Sequence, residues 1–210
     1  MEQNKAILIA DLSGYTALTE THGSSTAADM IDKFVQIVKE CLVGETELHQ
    51  CVGDEVVIVS NSPDHMINTA IALMQKCSRE HYFLQVHGGL HYGQILKRNN
   101  NYFGSAINLT SRIASKANTG TFWCSAQFAN ALSDISTFAF ESKGKHRFKN
   151  VTEEHEVLEL MIENIEPLNI DPICRMLIHN KESAFQHPEE TNIFFCSPEC
   201  LQVYIKSKSV

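Results

Sequence analysis

The sequence predicts an α+β fold, a largely antiparallel sheet carrying its helices on one side. Three observations lead there. Apolar runs of strand length alternate with stretches of helical spacing in the order βαββαβ and then αβαββ. A Gly-Asp pair separates two extended runs in the first third, as a hairpin requires. The chain has 210 residues, 43% hydrophobic and 20% charged, which is globular composition and enough for one ordinary domain with a small appendage.

Each element has its own signal. AILIAD (6–11) is a buried strand ending on Asp11, and LSGYTALTETHGSS (12–25) reads as turn-forming. Met30, Phe34, Ile37, Val38 and Leu42 recur at helical spacing over 27–44, with Ser25 or Thr26 as the cap. ETELHQCVGDEVVIVS (45–60) is a hairpin about Gly53-Asp54. PDHMINTAIALMQKCSREH (63–81) is an amphipathic helix with Pro63 in its first turn. FLQVHGGLHYGQIL (83–96) is a strand whose Gly88, Gly89 and Gly93 permit close backbone approach. SAINLTSRIASKAN (105–118) is a third helix capped by Ser105. TGTFWCS, the short helix AQFANALS, FAFESKGKHRFKNV and HEVLELMI complete the domain.

The polar stretch after Ile162, ENIEPLNIDP, carries two prolines and no period. It divides the chain into a main domain at 1–162, a linker at 163–170 and a segment at 171–210. The last is too small for its own core, so it needs a metal staple or docking onto the larger domain.

A net charge of −8 argues against a broad nucleic-acid footprint, although a local basic pocket for one phosphorylated small molecule stays compatible with it. No run is long enough to span a membrane. The N-terminus lacks a basic start and a long apolar region, so a cytoplasmic protein is expected. Of seven cysteines, Cys41, Cys51, Cys77 and Cys124 read as small buried hydrophobes.

Two acids stand where a core strand begins or ends. Asp11 closes the first strand and Asp54 lies in the hairpin turn. Brought together, they form an oxygen-donor pair for magnesium or manganese with substrate phosphates. Two such ions activate a hydroxyl and stabilise a leaving oxygen. Turn-capping is the alternative role for both acids. The backbone N–H groups of the loop through Gly14, Tyr15 and Thr16 are placed to hold phosphates. Asn108 and Arg112, four apart on one helix, share a face suited to charge developing on a phosphoryl group, or else are solvated surface residues.

ILIADLSGYTALTE, QCVGDEVVIVS, VHGGLHYGQIL and NYFGSAINLTSRIAS, in this order and spacing, resemble the class III nucleotidyl cyclase catalytic domain over residues 5 to 162. The resemblance implies a ferredoxin-like α+β domain working as a head-to-tail homodimer with sites shared between protomers. It implies cyclisation of a nucleoside triphosphate to a 3′,5′-cyclic monophosphate and pyrophosphate, ATP or GTP being the substrate. It matches Asp11 and Asp54 to two metal-binding aspartates, Asn108 to the ribose-orienting asparagine and Arg112 to the transition-state arginine. Tyr15 replaces a more usual Phe, and Glu55 matches nothing catalytic and reads as solvated or salt-bridged. Gln50 and Asn101 fall at the base-reading positions but carry neither the usual adenine-selecting nor guanine-selecting residues; their amides fit either purine. Lys143, Lys145, Arg147 and Lys149 are candidates for the triphosphate-facing base.

DPICRM followed by FFCSPEC resembles the small YHS/TRASH Cys-containing domains associated with metal binding, with CRM in place of CGM. Cys174, Cys196 and Cys200 then supply three thiolates of a four-coordinate site for zinc or another transition metal. His179 or His187 is the expected fourth ligand. A Cys196–Cys200 disulfide is not expected in a reducing cytoplasm. The leading expectation is an active, metal-dependent, homodimeric adenylate cyclase making cyclic AMP, with metal at the C-terminal segment as its regulator. The alternatives are a catalytically weak or inactive cyclase-like module that senses nucleotide or dimerises, and a metal sensor that uses the large domain as a scaffold.

Overall fold

The structure, a computed structural model, describes residues 2–149, 151, 153–163 and 169–208. The elements run β1 (Glu2–Ser13), α1 (Tyr15–Cys41), β2 (Glu47–Val52), β3 (Glu55–Ser60), α2 (Pro63–Arg79), β4 (Gln85–Arg98), β5 (Asn101–Phe103), α3 (Ser105–Ala114), β6 (Phe122–Ser125), α4 (Ala126–Asn130), β7 (Ala139–Arg147) and β8 (Glu154–Met161). The expected α+β order holds, with β5 as an addition. The main sheet has the order β2-β3-β1-β4-β6-β8-β7, with β5 paired to β4. Its neighbours are antiparallel except β4 and β6.

Side-chain parity on β1 organises the core. Ala6, Leu8, Ala10 and Leu12 face the cluster containing Leu18, Met30 and Phe34 of α1 and Met66, Ile67 and Leu73 of α2. Ile7 and Ile9 face the other way, onto Ala106 and Ala114 of α3. The helices therefore lie on both faces, not on one. Glycine makes the second face possible. A Cβ at Gly89 would stand 2.4 Å from the Ala114 nitrogen and 2.6 Å from the Thr110 carbonyl, so α3 rests directly on backbone.

Helix α1 starts well before the expected cap. Gly14, at φ 98, turns the chain straight from β1 into helix, and Tyr15 to His22 are helical up to a kink at Gly23 (φ 82, ψ 169). Thr, Ser and Gly made this stretch read as a turn. Burial of Leu18 in the core and hydroxyl bonds from Thr19 and Thr21 to the carbonyls four residues back hold it helical instead. Ser105 is the first residue of α3 rather than its cap, a place taken by Gly104. Ser62 caps α2 by accepting from the His65 N–H. The β4–β5 turn is Asn99-Asn100, both at positive φ (49 and 60), as a two-residue I′ turn demands. Cys41, Cys77 and Cys124 are buried as expected, but Cys51 is exposed on the outer strand β2.

Residues 164–168 of the expected linker lie outside the described residues. Beyond them come β9 (Asn169–Ile170), β10 (Leu177–Ile178), β11 (Phe185–Gln186), β12 (Phe194–Phe195) and α5 (Pro198–Lys208). These elements make two small hairpins and one helix. The segment docks. Leu177 N–H donates to the Phe83 carbonyl at 2.7 Å, Tyr82 N–H donates to the Leu177 carbonyl at 3.2 Å, and Cys174, Met176, Phe195 and Cys200 join the main core. No helix among the described residues is long and apolar enough to cross a membrane.

His91 sits 7% exposed on β4, its Nδ1 2.7 Å from the Ser125 hydroxyl. Burial, with His155 nearby, pulls its pKa from 6.5 down to about 4. The unfolded chain then binds the extra proton between these values, so stability falls on acidification from 6.5 towards 4. The slope approaches about 1.4 kcal/mol per pH unit at most. Urea titrations across this window should show a flatter profile for His91→Gln.

Candidate active site and metal centre

The hairpin and β1 bring the two predicted acids together. Asp11 is the register partner of Glu55 on one side and of His87 on the other, all three on the face that carries α3. Asp54 occupies the β2–β3 turn beside them, after Gly53 at φ 61. Burial, then the charge of Asp54 and its hydrogen bond, push the Asp11 carboxyl up to about 7, against one bond from the Leu12 N–H at 3.0 Å. Glu55 is half-buried, its pKa raised by burial and by Asp54, and it forms no ion pair among the described residues. Instead of the expected salt bridge, Glu55 has Asp11 as its cross-strand partner and the charge of Asp54 nearby. His87, whose Nδ1 lies 2.9 Å from the Ser13 hydroxyl, is held towards its neutral form by burial.

Gly14 and the first turn of α1, with Tyr15 and Thr16, follow Asp11 directly. Asn108 and Arg112 are both exposed on the outward face of α3. Asn108 borders a cavity of about 710 Å³ with Glu2, His91, Gln94 and Phe103. That cavity is lined by neither Asp11 nor Asp54 and lies towards the other end of β1. The cavity is shaped space; the chemistry that points to metal lies at the acid cluster. Gln50 is exposed on β2 beside a bulge, and Asn101 is exposed at the start of β5. Their neighbours His49 and Tyr102 are in ring contact at 4.6 Å, and Tyr102 Oη donates to Glu47 at 3.0 Å, so the β4–β5 arm reaches over to β2. Of the basic candidates on and after β7, Lys143 is taken up by Glu141 and Glu159, and Arg147 faces Glu154; Lys145 and Lys149 are exposed.

The three C-terminal cysteines converge, and the histidine that joins them is neither His179 nor His187 but His22 of α1, some 150 residues away in a stretch whose composition reads as a turn. The Nε2 and Sγ atoms of His22, Cys174, Cys196 and Cys200 all lie within 4.8 Å of one another. Cys174–Cys196 is 3.3 Å, Cys196–Cys200 3.7 Å, His22–Cys196 3.5 Å and His22–Cys200 3.4 Å. Tetrahedral zinc requires edges of about 3.8 Å between sulfurs and about 3.5 Å from sulfur to nitrogen, from its ordinary bond lengths. The fully buried Asp171 fixes the frame. Its Oδ1 accepts from Ile173 and Cys174 N–H and its Oδ2 from Cys196 N–H. Hydrogen bonds from Cys174 and Cys196 draw the Cys200 thiol down, while Cys174 and then Cys200 drive Cys196 up. His179 instead meets the Ser78 carbonyl at 2.7 Å, and His187 accepts from Glu190 N–H at 3.0 Å.

The chain matches the adenylate and guanylate cyclase catalytic domain family over residues 1–163. An uncharacterised protein of Mycobacterium tuberculosis is 33% identical over 131 residues, covering 62% of this chain and 35% of the relative. An adenylate cyclase of Glutamicibacter nicotianae is 29% identical over 140 residues, covering 66% of this chain and 35% of the relative. The chain thus spans 35% of the length of these two curated relatives. Among solved structures, a monomeric-state adenylate cyclase from Trypanosoma brucei superposes with a TM-score of 0.69 at 17% identity, over 78% of this chain and 91% of that one. The guanylate cyclase domain of RhGC from Catenaria anguillulae, in complex with GTP, gives 0.64 at 14% identity over 78% and 100%. These structural likenesses carry the fold.

Proposed function

The chain belongs to the adenylate and guanylate cyclase catalytic domain family, and from that premise we propose that it cyclises a nucleoside triphosphate. The ribose 3′-oxygen attacks the α-phosphorus, the new 3′-O–P bond forms, the bond to the β-phosphate oxygen breaks, and pyrophosphate leaves as the hydroxyl proton is lost. The carrying observation is the acid pair. Burial first, and then the neighbouring Asp54, push Asp11 up to about 7; the pair is an all-oxygen donor set whose charge a hard dication neutralises. Two magnesium or manganese ions bound there supply charge neutralisation and hydroxyl activation.

The remaining roles fall to this chain's own groups. N–H groups at Gly14, Tyr15 and Thr16 hold phosphate oxygens at the start of α1. Asn108 orients the ribose, and Arg112 stabilises charge developing on the phosphoryl oxygens. Gln50 and Asn101 read the base. The working unit is a head-to-tail homodimer, each site taking its acids from one protomer and its amide and guanidinium from the other; the separate lining of the Asn108 cavity, which lacks Asp11, supports that division. The C-terminal segment is a metal-binding unit of YHS/TRASH type, zinc being the ion its three thiolates and one imidazole suit.

The test is turnover of ATP and GTP in parallel with manganese or magnesium, scoring 3′,5′-cyclic product and pyrophosphate, with Asp54→Ala as control. Cyclic product lost in the variant supports the reading. No product from folded, dimeric protein moves the chain to a nucleotide-binding module. Base choice has its own check. A Lys side chain only donates and a Glu only accepts. Gln50→Lys is expected to shift the ATP-to-GTP ratio of kcat/KM upward, and Gln50→Glu to shift it downward, each by about tenfold or more.

A further inference from the structure

The loop 171–176 touches the candidate nucleotide site and the metal cluster at once. Cys174 brings its thiol to the cluster, while its carbonyl is 3.8 Å from where a Gly14 Cβ would stand. Arg175, the next residue, is held at φ 69, a conformation unusual for a side chain of this size. It lays its own Cβ and Cγ against Gly14, 2.5 and 2.6 Å from that ideal Cβ position, so only glycine fits there. Gly14 is the residue between Asp11 and the first turn of α1. The guanidinium of Arg175 is exposed and forms no hydrogen bond or ion pair among the described residues. His22, at the far end of the same short helical stretch, is the fourth donor of the cluster, and Gly23 kinks the chain immediately after it.

We propose that a zinc-class ion held by His22, Cys174, Cys196 and Cys200 clamps the C-terminal segment to α1 and thereby seats Arg175 at the phosphate-holding loop, where it contacts the triphosphate. On binding, the ion takes three thiolates and one neutral imidazole nitrogen, and thiol protons are released to solvent. The segment has little core of its own, so the ion supplies much of what fixes it. An arginine at that loop gives the forked donor geometry that phosphate oxygens accept. Metal occupancy thus sets triphosphate affinity without the ion touching the nucleotide. The proposal rests on the nucleotide-site reading of Asp11 and the Gly14 loop, but its test does not need turnover.

The full chain is assayed for zinc content by elemental analysis and for binding of mant-ATP and mant-GTP by fluorescence. One zinc per chain is expected. Arg175→Ala should keep the zinc and weaken nucleotide binding about tenfold. His22→Ala should lose the zinc and weaken binding by a similar factor. His22→Cys should restore both, which separates ligand loss from misfolding. In the His22→Ala background, Arg175→Ala should add little, because both changes remove one contact. Zinc-free protein that takes up none on reconstitution, zinc retained by His22→Ala, or unchanged nucleotide affinity in Arg175→Ala would overturn the proposal. Wild-type protein that binds nucleotide with these dependences yet makes no cyclic product would overturn the catalytic reading and leave the clamp standing.

Discussion

Asp11→Asn is expected to lower cyclic-nucleotide formation by about 10³-fold or more and, at the same time, to raise the melting temperature of protein without added magnesium or manganese. The opposite signs have one cause. Asp11 is half-buried beside Asp54 and Glu55, and its pKa stands at about 7 instead of 3.8. The folded state therefore binds a proton between pH 4 and 7 that the unfolded chain has released, and stability falls as pH rises through that window. Above pH 7 the full penalty remains. Discounted for solvent screening, it is about 1–2 kcal/mol, or ~2–8 °C in a protein of this size. The amide keeps the shape and removes the charge. At pH 8 Asp11→Asn should melt higher than wild type, at pH 4 the two should coincide, and magnesium should stabilise wild type more than the variant. A variant that loses activity and also melts lower at pH 8 would mean that Asp11 is a structural residue, not a half-buried charge awaiting a cation.

That arrangement was legible in the sequence to an unusual extent, because local signals and pairing agree. An apolar strand ending in Asp and a Gly-Asp turn leading into another apolar strand have one antiparallel register that buries both, and it sets Asp11 opposite Glu55. Placing Glu55 in the cluster needed that register, which sequence spacing does not supply. The start of α1 was hidden by composition: Thr, Gly and Ser between 13 and 26 favour turns, and only burial of Leu18 decides otherwise. Hiding that helix also hid His22, whose place in the cysteine cluster depends on a contact between α1 and the last forty residues. Helices on both faces were missed for a related reason. The pair Gly88-Gly89 signals close approach, but tertiary packing decides that Gly89 takes α3 on its open face while Gly88 lies against the Phe122 ring and the Ile9 carbonyl.

The second large effect concerns assembly. Asp54→Ala and Arg112→Ala should each be nearly inactive alone, the latter by about 10²–10³-fold, yet their equimolar mixture should recover about a quarter of wild-type activity. Random exchange makes half the dimers mixed, and in each mixed dimer one site combines the intact acids of one protomer with the intact arginine of the other. The geometry of a single chain argues for this division. Asn108 borders the cavity that reaches Glu2, and Glu2 and Asp11 are nine residues apart on one strand, about 30 Å at strand rise. Arg112 is only one helical turn, about 6 Å, further along α3, and it points outward. The proposed dimer assigns the acids of one protomer and the Asn108–Arg112 face of the other to one site. Activity absent from the mixture, with heterodimers verified by differently tagged chains, would place the whole site inside one protomer and remove the reason for the dimer.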